Sequence, residues 1–236
     1  MTPSREGPVV TLDGPAGSGK STTAREVARR LGFRHLDSGA LYRALTVALL
    51  ESGVPEESWE TLSETELRTL GVRVTASGSA LQVRLGERLL GPELRTVRVT
   101  ALVSPLSRLP AVRSALLELQ HKAGAQGRLV ADGRDMGTVV FPDAEVKVFL
   151  IADVGERARR RLWEQAGAHP TAQEVAEEVL RIAARDARDA GREISPLRRP
   201  DDAVDLDTTR LSFEEQVNVV VDLVRARTGV APSPGR

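Results

Sequence analysis

The stretch that decides the fold is Gly14-Pro15-Ala16-Gly17-Ser18-Gly19-Lys20-Ser21. It fits G-x-x-x-x-G-K-[ST], the pattern of a loop that binds phosphate through its backbone N–H groups. The short apolar run Val9–Asp13 before it predicts a buried strand, and the helical spacing of apolar residues in Ser21–Leu31 predicts a helix. Strand, glycine-rich loop and helix are the context that the pattern requires. We call Gly14–Ser21 the phosphate loop.

The residues of the phosphate loop indicate what it binds. Its glycines let successive N–H groups turn toward a polyphosphate, and the following helix adds the positive end of its dipole. Lys20 can reach the β- and γ-phosphates, and the Ser21 hydroxyl can ligate Mg²⁺. The chain has only three lysines among 33 cationic residues, so a lysine at this position is not explained by composition. The sequence therefore predicts a nucleotide-phosphate site.

The composition sets limits on the rest of the chain. Its 236 residues suffice for one α/β domain with inserted subdomains. The absence of cysteine excludes disulfides and thiol nucleophiles, and it is compatible with a cytoplasmic location. No apolar run approaches the ~18 residues of a membrane span. The 33 acidic residues balance the 33 basic ones, which argues against a protein that mainly binds nucleic acid.

Four further apolar runs predict strands: Arg34–Leu36, Leu129–Asp132, Val146–Ala152 and Ala203–Asp207. Helical patterns separate most of them, so we predict an α/β fold in which helices cover a five-stranded parallel sheet. Right-handed crossovers place the carboxyl ends of the strands, with the phosphate loop, at one rim. Alternating apolar residues around Ser77-Gly78-Ser79 predict an antiparallel hairpin insert. Ser212 and Glu215 predict a capping box for the closing helix.

Two strand ends carry side chains suited to binding phosphate and metal. The second strand runs into Asp37-Ser38-Gly39-Ala40-Leu41-Tyr42-Arg43, whose first residues would cap a helix and whose last two fall one turn on. The third strand ends in Asp132-Gly133-Arg134-Asp135-Met136-Gly137. A carboxylate such as Asp132, beside a phosphate loop, suits Mg²⁺ held through water.

Arginines are concentrated between residues 157 and 192. Four crowd the first stretch: Arg157, Arg159, Arg160 and Arg161. Four more are spaced 4, 3 and 4 along one predicted helix face: Arg181, Arg185, Arg188 and Arg192. Like charges at this spacing cost about 0.2–0.5 kcal/mol per pair unless they are neutralised. Acids such as Asp186 and Asp189 could neutralise them on a solvated face, but beside a phosphate loop we favour substrate phosphates bound under a closing lid.

Several classes of protein are excluded. A switch GTPase needs an Asn-Lys-x-Asp guanine reader, and the only asparagine is Asn218. A motor ATPase or helicase would show Asp-Glu at the end of an apolar strand, and no such pair occurs. The histidines, His35, His121 and His169, show no ligand spacing, so neither a zinc site nor a histidine base is expected. A small transferase that uses a nucleoside triphosphate remains.

Four stretches together resemble the bacterial cytidylate kinase (CMP kinase) family of nucleoside monophosphate kinases: Gly14–Ser21, His35–Arg43, Val130–Pro142 and Arg185–Asp189. The resemblance spans roughly residues 8–226 and includes the hairpin insert. It implies a P-loop NTPase-like, three-layer α/β/α fold with an NMP-binding insert and a short lid. It also implies that ATP and Mg²⁺ convert CMP or dCMP into CDP or dCDP, with ADP as the second product, in pyrimidine nucleotide metabolism.

The resemblance also implies how the chain is divided. Residues 1–8 and 229–236 would be flexible tails of a kinase domain at 9–228. The core would comprise 9–37, 109–156 and 194–228, and the lid about 157–193. The NMP-binding subdomain would be 38–108, with the hairpin insert at about 71–93. A cytoplasmic monomer with small-molecule substrates, and without nucleic-acid or membrane partners, is expected.

Matching positions carry the family's site residues over to this chain. The base would be read by Ser38, Arg113 and Asp135; the monophosphate would be held by Arg43, Arg134 and Arg192, and the ribose by Arg185 and Asp189. Tyr42 would line the same CMP site, and ATP would be bound by Gly14 to Thr22 and covered by Arg157 and Arg161. The catalytic residues would be Lys20, Asp132, Arg134, Arg188 and Arg192, and the Mg²⁺ ligands Ser21 and, through water, Asp132.

Two other functions remain open at this point. Within the same class, the acceptor could be UMP, AMP or a small metabolite. In a different class, the chain could be a non-catalytic ATP-binding module whose arginine stripe binds RNA. That function usually needs aromatic residues between the arginines, but the chain has only four Phe, two Trp and one Tyr, and none lies within the stripe.

Overall fold

A computed structural model describes residues 5–77 and 80–231. The predicted hairpin turn at Gly78 and Ser79, and the tail residues 1–4 and 232–236, lie outside the described residues. The strands are β1 (Val9–Asp13), β2 (Arg34–Asp37), β3 (Val72–Ser77), β4 (Ala80–Leu85), β5 (Arg88–Leu89), β6 (Leu129–Gly133), β7 (Val146–Ile151) and β8 (Val204–Asp207). The helices are α1 (Lys20–Leu31), α2 (Ser38–Ser52), α3 (Glu64–Thr69), α4 (Val97–Leu106), α5 (Pro110–Gly124), α6 (Val154–Ala166), α7 (Ala172–Ala190) and α8 (Phe213–Thr228). Short 3₁₀ segments lie at Glu56–Thr61 and Pro92–Arg95, and one π-helical turn spans Met136–Val140.

The predicted five-stranded parallel sheet is confirmed. Its strands lie in the order β2-β6-β1-β7-β8, and every neighbouring pair is parallel. The third predicted strand, β6, therefore inserts between the first two. As a result, Asp132 of β6 pairs in register with Asp37 of β2 on one side and with Leu12 of β1 on the other. The carboxyl ends of β1, β2 and β6 meet at the rim from which the phosphate loop leaves the sheet.

The predicted hairpin forms and lengthens the sheet at one edge. Strands β3 and β4 pair antiparallel from Val72 opposite Leu85 to Ser77 opposite Ala80. A single parallel pair, His35 with Ala80, joins β4 to β2, and β5 pairs with β4. The insert thus continues the central sheet while leaving the five-stranded parallel part intact.

Two hydrophobic clusters, one on each face of the sheet, give the three layers expected of the α/β/α class. On one face, Val10 and Leu12 of β1 pack with buried residues of α1 and α8 such as Val27 and Val220. The cluster on the other face includes Val9 of β1 and the inner sides of α2, α4 and α5. The alternation of side chains along β1 decides which cluster each residue joins. No helix in the described part of the chain is long and apolar enough to cross a membrane.

Local signals fix the ends of several elements. The Ser212–Glu215 capping box of α8 is confirmed, and Thr171 with Glu174 forms another at the start of α7. The N-terminal tail differs from expectation, because residues 5–8 are held in place rather than loose. Arg5 bonds Asp143 at 2.8 Å, and backbone bonds join Glu6 to Gln126 and Leu129 to Pro8.

Candidate active site

The phosphate loop bends between β1 and α1 as its glycines predict. Gly17 and Gly19 have φ angles of 76° and 87°, which L-residues with side chains rarely adopt. A Cβ on Gly17 would also lie 3.0 Å from the backbone oxygen of Arg157, so the loop packs directly on α6. The amides that follow Gly19 are the unpaired first N–H groups of α1, which makes this turn a site for an anion.

Lys20 begins α1 and lies buried under the phosphate loop, where its Nζ donates to the carbonyl of Pro15 at 3.2 Å. Burial, and then the positive charge of Arg134, lower the pKa of Lys20 from 10.5 to about 7. A polyphosphate beside the ammonium group would raise that pKa again, so anion binding and protonation of Lys20 reinforce each other.

Asp132, at the end of β6, faces the start of α1. Its carboxylate accepts a 2.5 Å hydrogen bond from the Ser21 hydroxyl and lies 2.8 Å from Nε2 of His35. Burial opposes ionisation, but the His35 hydrogen bond and the charges of His35 and Lys20 hold the pKa of Asp132 below its ordinary value. The pKa of the neighbouring Asp37 shifts in the opposite direction, because burial and the charge of Asp132 raise it. This oxygen-rich rim is where a divalent cation bound to substrate phosphate would fit.

Arginines from four elements converge opposite the phosphate loop: Arg43, Arg134, Arg161 and Arg185. We call these four the cationic cluster. Burial and the charge of Arg134 lower the pKa of Arg185 to about 10, and burial lowers the pKa of Arg43. Nε of Arg185 is buried without a hydrogen-bond partner among the described residues. Cations placed this close repel one another, and phosphate groups between them would remove that repulsion.

Asp189 of α7 anchors one side of the cationic cluster. It is 1% exposed and accepts from Nε of Arg134 at 2.9 Å and from Arg192. Although burial raises it, the pKa of Asp189 is lowered overall by these two arginines. Both carboxylate oxygens therefore hold guanidinium groups, so the predicted contact of Asp189 with a ribose stays a prediction.

The arginine stripe of α7 does not act as one unit. The buried face of α7 carries Glu178, Ile182 and Asp189, and Arg185 lies beside that face. Arg188 is exposed, and among the described residues its side chain bonds the carbonyl of Ala184 alone. It lies one residue, about 100° of helical turn, from Asp189. Arg181 is exposed too, and it pairs with Glu177 and Glu178. Arg181 and Arg188 therefore lie away from the buried face of α7, and Arg192 lies beyond the end of the helix. The catalytic role of Arg188 stays a prediction.

A second group of buried polar side chains lies between α2, α5 and the loop after β6. Arg113 of α5 forms an ion pair with Asp135 and sits 5.5 Å from the ring centroid of Tyr42. Ser38 accepts a 3.1 Å hydrogen bond from Nε2 of Gln120. Burial raises the pKa of Tyr42 to about 12. We call Ser38, Tyr42, Arg113 and Asp135 the polar pocket. Ser38 lies one helical turn before Tyr42, so these four residues, which the family resemblance had assigned to CMP, lie close together.

Arg134 and Asp135 are held in place by the neighbouring strand β1. The carboxylate of Asp13, at the end of β1, accepts from the backbone N–H groups of Met136 at 2.9 Å and Gly137 at 2.8 Å. These bonds fix the start of the π-helical turn Met136–Val140. As a consequence, Arg134 is presented toward the cationic cluster and Asp135 toward the polar pocket.

The cytidylate kinase family model matches residues 10–226 of the chain. The chain belongs to the cytidylate kinase family. It is similar to the cytidylate kinase of Salinibacter ruber, with 46% identity over 228 residues that cover 94% of this chain and 98% of that protein. It is also similar to the cytidylate kinase of Carboxydothermus hydrogenoformans, with 44% identity over 223 residues that cover 94% and 99%. The family resemblance drawn from the four sequence motifs is confirmed.

Within this family fold, the arginines assigned to ATP already have protein partners. Arg157 is buried, and its guanidinium bonds the carbonyl oxygens of Ala16 and Ala152 as well as Asp186. Arg161 pairs with the buried Glu178 at 3.0 Å while lying close enough to Arg43 and Arg185 to affect their pKa values. Arg161 is therefore well placed for phosphate, whereas Arg157 mainly braces the phosphate loop.

Sequence reasoning missed four residues that shape the site. They are Asp13, His35, Gln120 and Asp186. His35 was set aside because no acid lies at ligand spacing in the sequence; its partner, Asp132, is 97 residues away. The sequence does place His35 and Asp132 near the ends of two predicted parallel strands. Their contact could be predicted from this only with knowledge that these two strands are neighbours in the sheet.

Proposed function

We propose that the chain transfers the γ-phosphate of ATP to CMP or dCMP in the cleft between the phosphate loop and the polar pocket. Membership of the cytidylate kinase family supports this reaction. The observation that carries the assignment is the buried Arg113–Asp135 pair, which supplies a donor and an acceptor. Arg134, the residue before Asp135, is close enough to Lys20 to lower its pKa. A pocket with these groups fits a polar base edge, and the arginines between it and Lys20 fit two phosphate chains.

In the proposed mechanism the protein positions and neutralises the reactants without a covalent intermediate. An oxygen of the monophosphate attacks the γ-phosphorus in line, the new P–O bond forms, and the bond to ADP breaks. Lys20 and the phosphate loop hold ATP, while Arg43, Arg134 and Arg192 hold the monophosphate. The positive charges are placed where negative charge develops in the transition state, which lowers the barrier. Closure of the lid over the cleft would exclude water and so prevent ATP hydrolysis.

We propose that Ser21 and Asp132 take part in binding Mg²⁺. Both supply oxygen donors at the phosphate loop, and the buried Asp132 has a lowered pKa that keeps it ionised. No group of three or more His, Cys, Asp or Glu residues suited to a metal occurs in the part of the chain that the structure describes. Mg²⁺ usually keeps several waters and is bound by one or two carboxylates together with substrate phosphates. When bound, Mg²⁺ would supply charge neutralisation at the β- and γ-phosphates.

Replacing Asp132 by Asn should raise the Mg²⁺ concentration needed for half-maximal activity about tenfold or more. Asparagine keeps the size of the side chain and can still bond Ser21 and His35, but it removes the negative charge. The measurement is activity against Mg²⁺ concentration at saturating ATP and CMP. Asp222→Asn, at an exposed site on α8, is the control. An unchanged Mg²⁺ requirement in Asp132→Asn would contradict the assignment.

A coupled ADP-release assay across CMP, dCMP, UMP and AMP tests the proposed function. We expect CMP and dCMP to give the highest kcat/KM. A preference for UMP or AMP would point to the neighbouring specificities. The absence of ADP release with every acceptor, together with salt-sensitive RNA binding, would instead support the non-catalytic RNA-binding module.

Arg192→Ala should lower kcat/KM for CMP about a hundredfold, because Arg192 bonds the same Asp189 that holds Arg134. The effect of Arg188→Ala should be at least several-fold smaller, since Arg188 is exposed and its bond in the structure is to a helix carbonyl. Kinetics and thermal melts on both variants separate catalysis from folding; an exposed arginine contributes only ~0–1 kcal/mol to stability. Equal kinetic losses would mean that Arg188 joins the cleft in the reacting complex.

Four further expectations belong to this proposal. They are a role in pyrimidine nucleotide metabolism, a cytoplasmic location, a monomeric state and the lack of a nucleic-acid partner. Sedimentation with and without RNA would test the last two.

A further inference from the structure

Ala16, in the bend of the phosphate loop, has both of its backbone polar groups bonded to side chains from the lid helices. Its N–H donates to Oδ1 of Asp186 at 3.1 Å, and its carbonyl accepts from Nη1 of Arg157 at 3.0 Å. Ala16 is also 3% exposed. One side chain of α6 and one of α7 therefore bond the same loop residue. More than 130 residues of sequence separate Ala16 from these two side chains.

The two gripping side chains also hold each other. Nη1 of Arg157 donates to Oδ2 of Asp186 at 2.5 Å, which closes a ring of three contacts with Ala16. Nε of Arg157 donates to the carbonyl of Ala152 at 3.1 Å, so the guanidinium is anchored to the end of β7 as well. The next loop residue, Gly17, packs against the backbone of Arg157. We call Ala16, Arg157 and Asp186 the loop brace.

The loop brace bears on phosphate binding because a glycine-rich loop is costly to order. Fixing the backbone of a flexible loop costs conformational entropy, and a ligand that must order the loop binds more weakly for that reason. The brace fixes the bend at Ala16 in the folded protein. The Ser18 amide donates to the carbonyl of Pro15, which leaves the amides of Gly17, Gly19 and the first turn of α1 for phosphate.

We propose that Asp186 is a positioning residue for ATP: it holds Ala16 and Arg157 so that the phosphate loop is ordered before ATP binds. The inference rests on the proposed function in naming ATP as the ligand. An alternative role for Asp186 predicts the opposite change in ATP affinity. If the Asp186 carboxylate occupied space needed by a phosphate, its removal would strengthen ATP binding. Asp186 bonds the guanidinium of Arg157 and the amide of Ala16, which lies outside the Gly19–Ser21 turn. These bonds favour the positioning role.

The test is the dissociation constant for ATP, measured by calorimetry without CMP, in the wild type and in Asp186→Ala and Asp186→Asn. We expect Asp186→Ala to weaken ATP binding about tenfold, equivalent to ~1.4 kcal/mol. Asp186→Asn should weaken it less, because the amide oxygen still accepts from Ala16 while the charge facing Arg157 is lost. KM for CMP should change less than about twofold, since the brace does not reach the polar pocket. Glu177→Gln, which removes an exposed ion pair of the same helix, is the matched control and should bind ATP normally.

Three outcomes would overturn the proposal. Tighter ATP binding would make Asp186 a competitor of phosphate, unchanged binding would limit the brace to folding, and equal losses for ATP and CMP would indicate a general disturbance of the cleft. If Asp186→Ala does not fold, Asp186→Asn decides. A failure of the proposed function looks different, because the wild type would then not phosphorylate CMP, whatever the ATP affinity of the variants.

Discussion

Lys20→Ala should lower kcat for CMP phosphorylation about a thousandfold while leaving the fold intact. Lys20 is the buried cation of the phosphate loop, close to Arg134 and Arg185, and its charge is placed for the transferring phosphate. Removal of one preorganised charge or donor from a site of this kind costs roughly 10²–10³ in kcat. The loss should appear mainly in kcat, since the interaction is strongest in the transition state. Steady-state kinetics with ATP and CMP measure it.

The same substitution should not destabilise the protein. The pKa of Lys20 falls from 10.5 to about 7 on folding, so the folded state disfavours the charged form. The cost to stability is fully present below about pH 7 and shrinks as the pH rises toward 10.5. Lys20→Ala removes this cost, and its Tm near neutral pH should equal or exceed that of the wild type. Lys122→Ala, at an exposed lysine on α5, is the kinetic control.

The second large effect concerns the choice of base. Cytosine presents an N4 amino donor beside an N3 acceptor, whereas uracil presents an O4 acceptor beside an N3–H donor. An ionised Asp135 only accepts and Arg113 only donates, so the pair can match cytosine but not uracil. Both side chains are buried, at 3% and 9% exposure, and a mismatched buried polar group costs roughly 1–3 kcal/mol. We therefore expect CMP to be preferred over UMP at least tenfold to a hundredfold.

Asp135→Asn should reduce that preference about tenfold or more, by lowering kcat/KM for CMP far more than for UMP. The asparagine amide can offer a donor to O4 of uracil, which the carboxylate cannot do. The substitution also leaves the buried Arg113 without its counter-charge and will lower stability. The ratio of the two kcat/KM values within one protein is the proper readout, because any loss of folded enzyme cancels.

The control for this substitution is Asp143→Asn, which removes a carboxylate from a remote ion pair with Arg5. Its CMP/UMP ratio should match that of the wild type. Equal proportional losses for the two substrates in Asp135→Asn would show that Asp135 positions phosphate or Arg113 rather than reading the base.

Local patterns predicted the parts of the fold that depend on nearby residues. The phosphate loop, its flanking strand and helix, and the capping box at Ser212 each depend on residues close in sequence. Apolar runs predicted β1, β6 and β7, because strands covered on both faces are largely apolar. The runs at β2 and β8 are weaker signals, since they carry one and two apolar residues. Local features of this kind can be predicted from one sequence.

The strand order and the ion pairs could not be read in the same way. The insertion of β6 between β1 and β2 brings Asp132 to His35 and Asp37, yet no local pattern specifies it. Helical spacing placed Arg188 and Arg185 on one face, but the rotation of α7 relative to the core decides which of them turns inward. The pairing of Asp186 with Arg157 depends on how two helices pack across the phosphate loop, and its neighbours in sequence do not reveal it.

Transfer of the γ-phosphate can be followed with a label on that group. ATP labelled at the γ-position is incubated with CMP, Mg²⁺ and the wild type, and the label is traced by chromatography. We expect the label to move to CDP, with one ADP formed per CDP. Lys20→Ala should nearly abolish this transfer, whereas Lys122→Ala should not. Label released as free phosphate, or transfer that Lys20→Ala leaves at the wild-type rate, would contradict the proposed function.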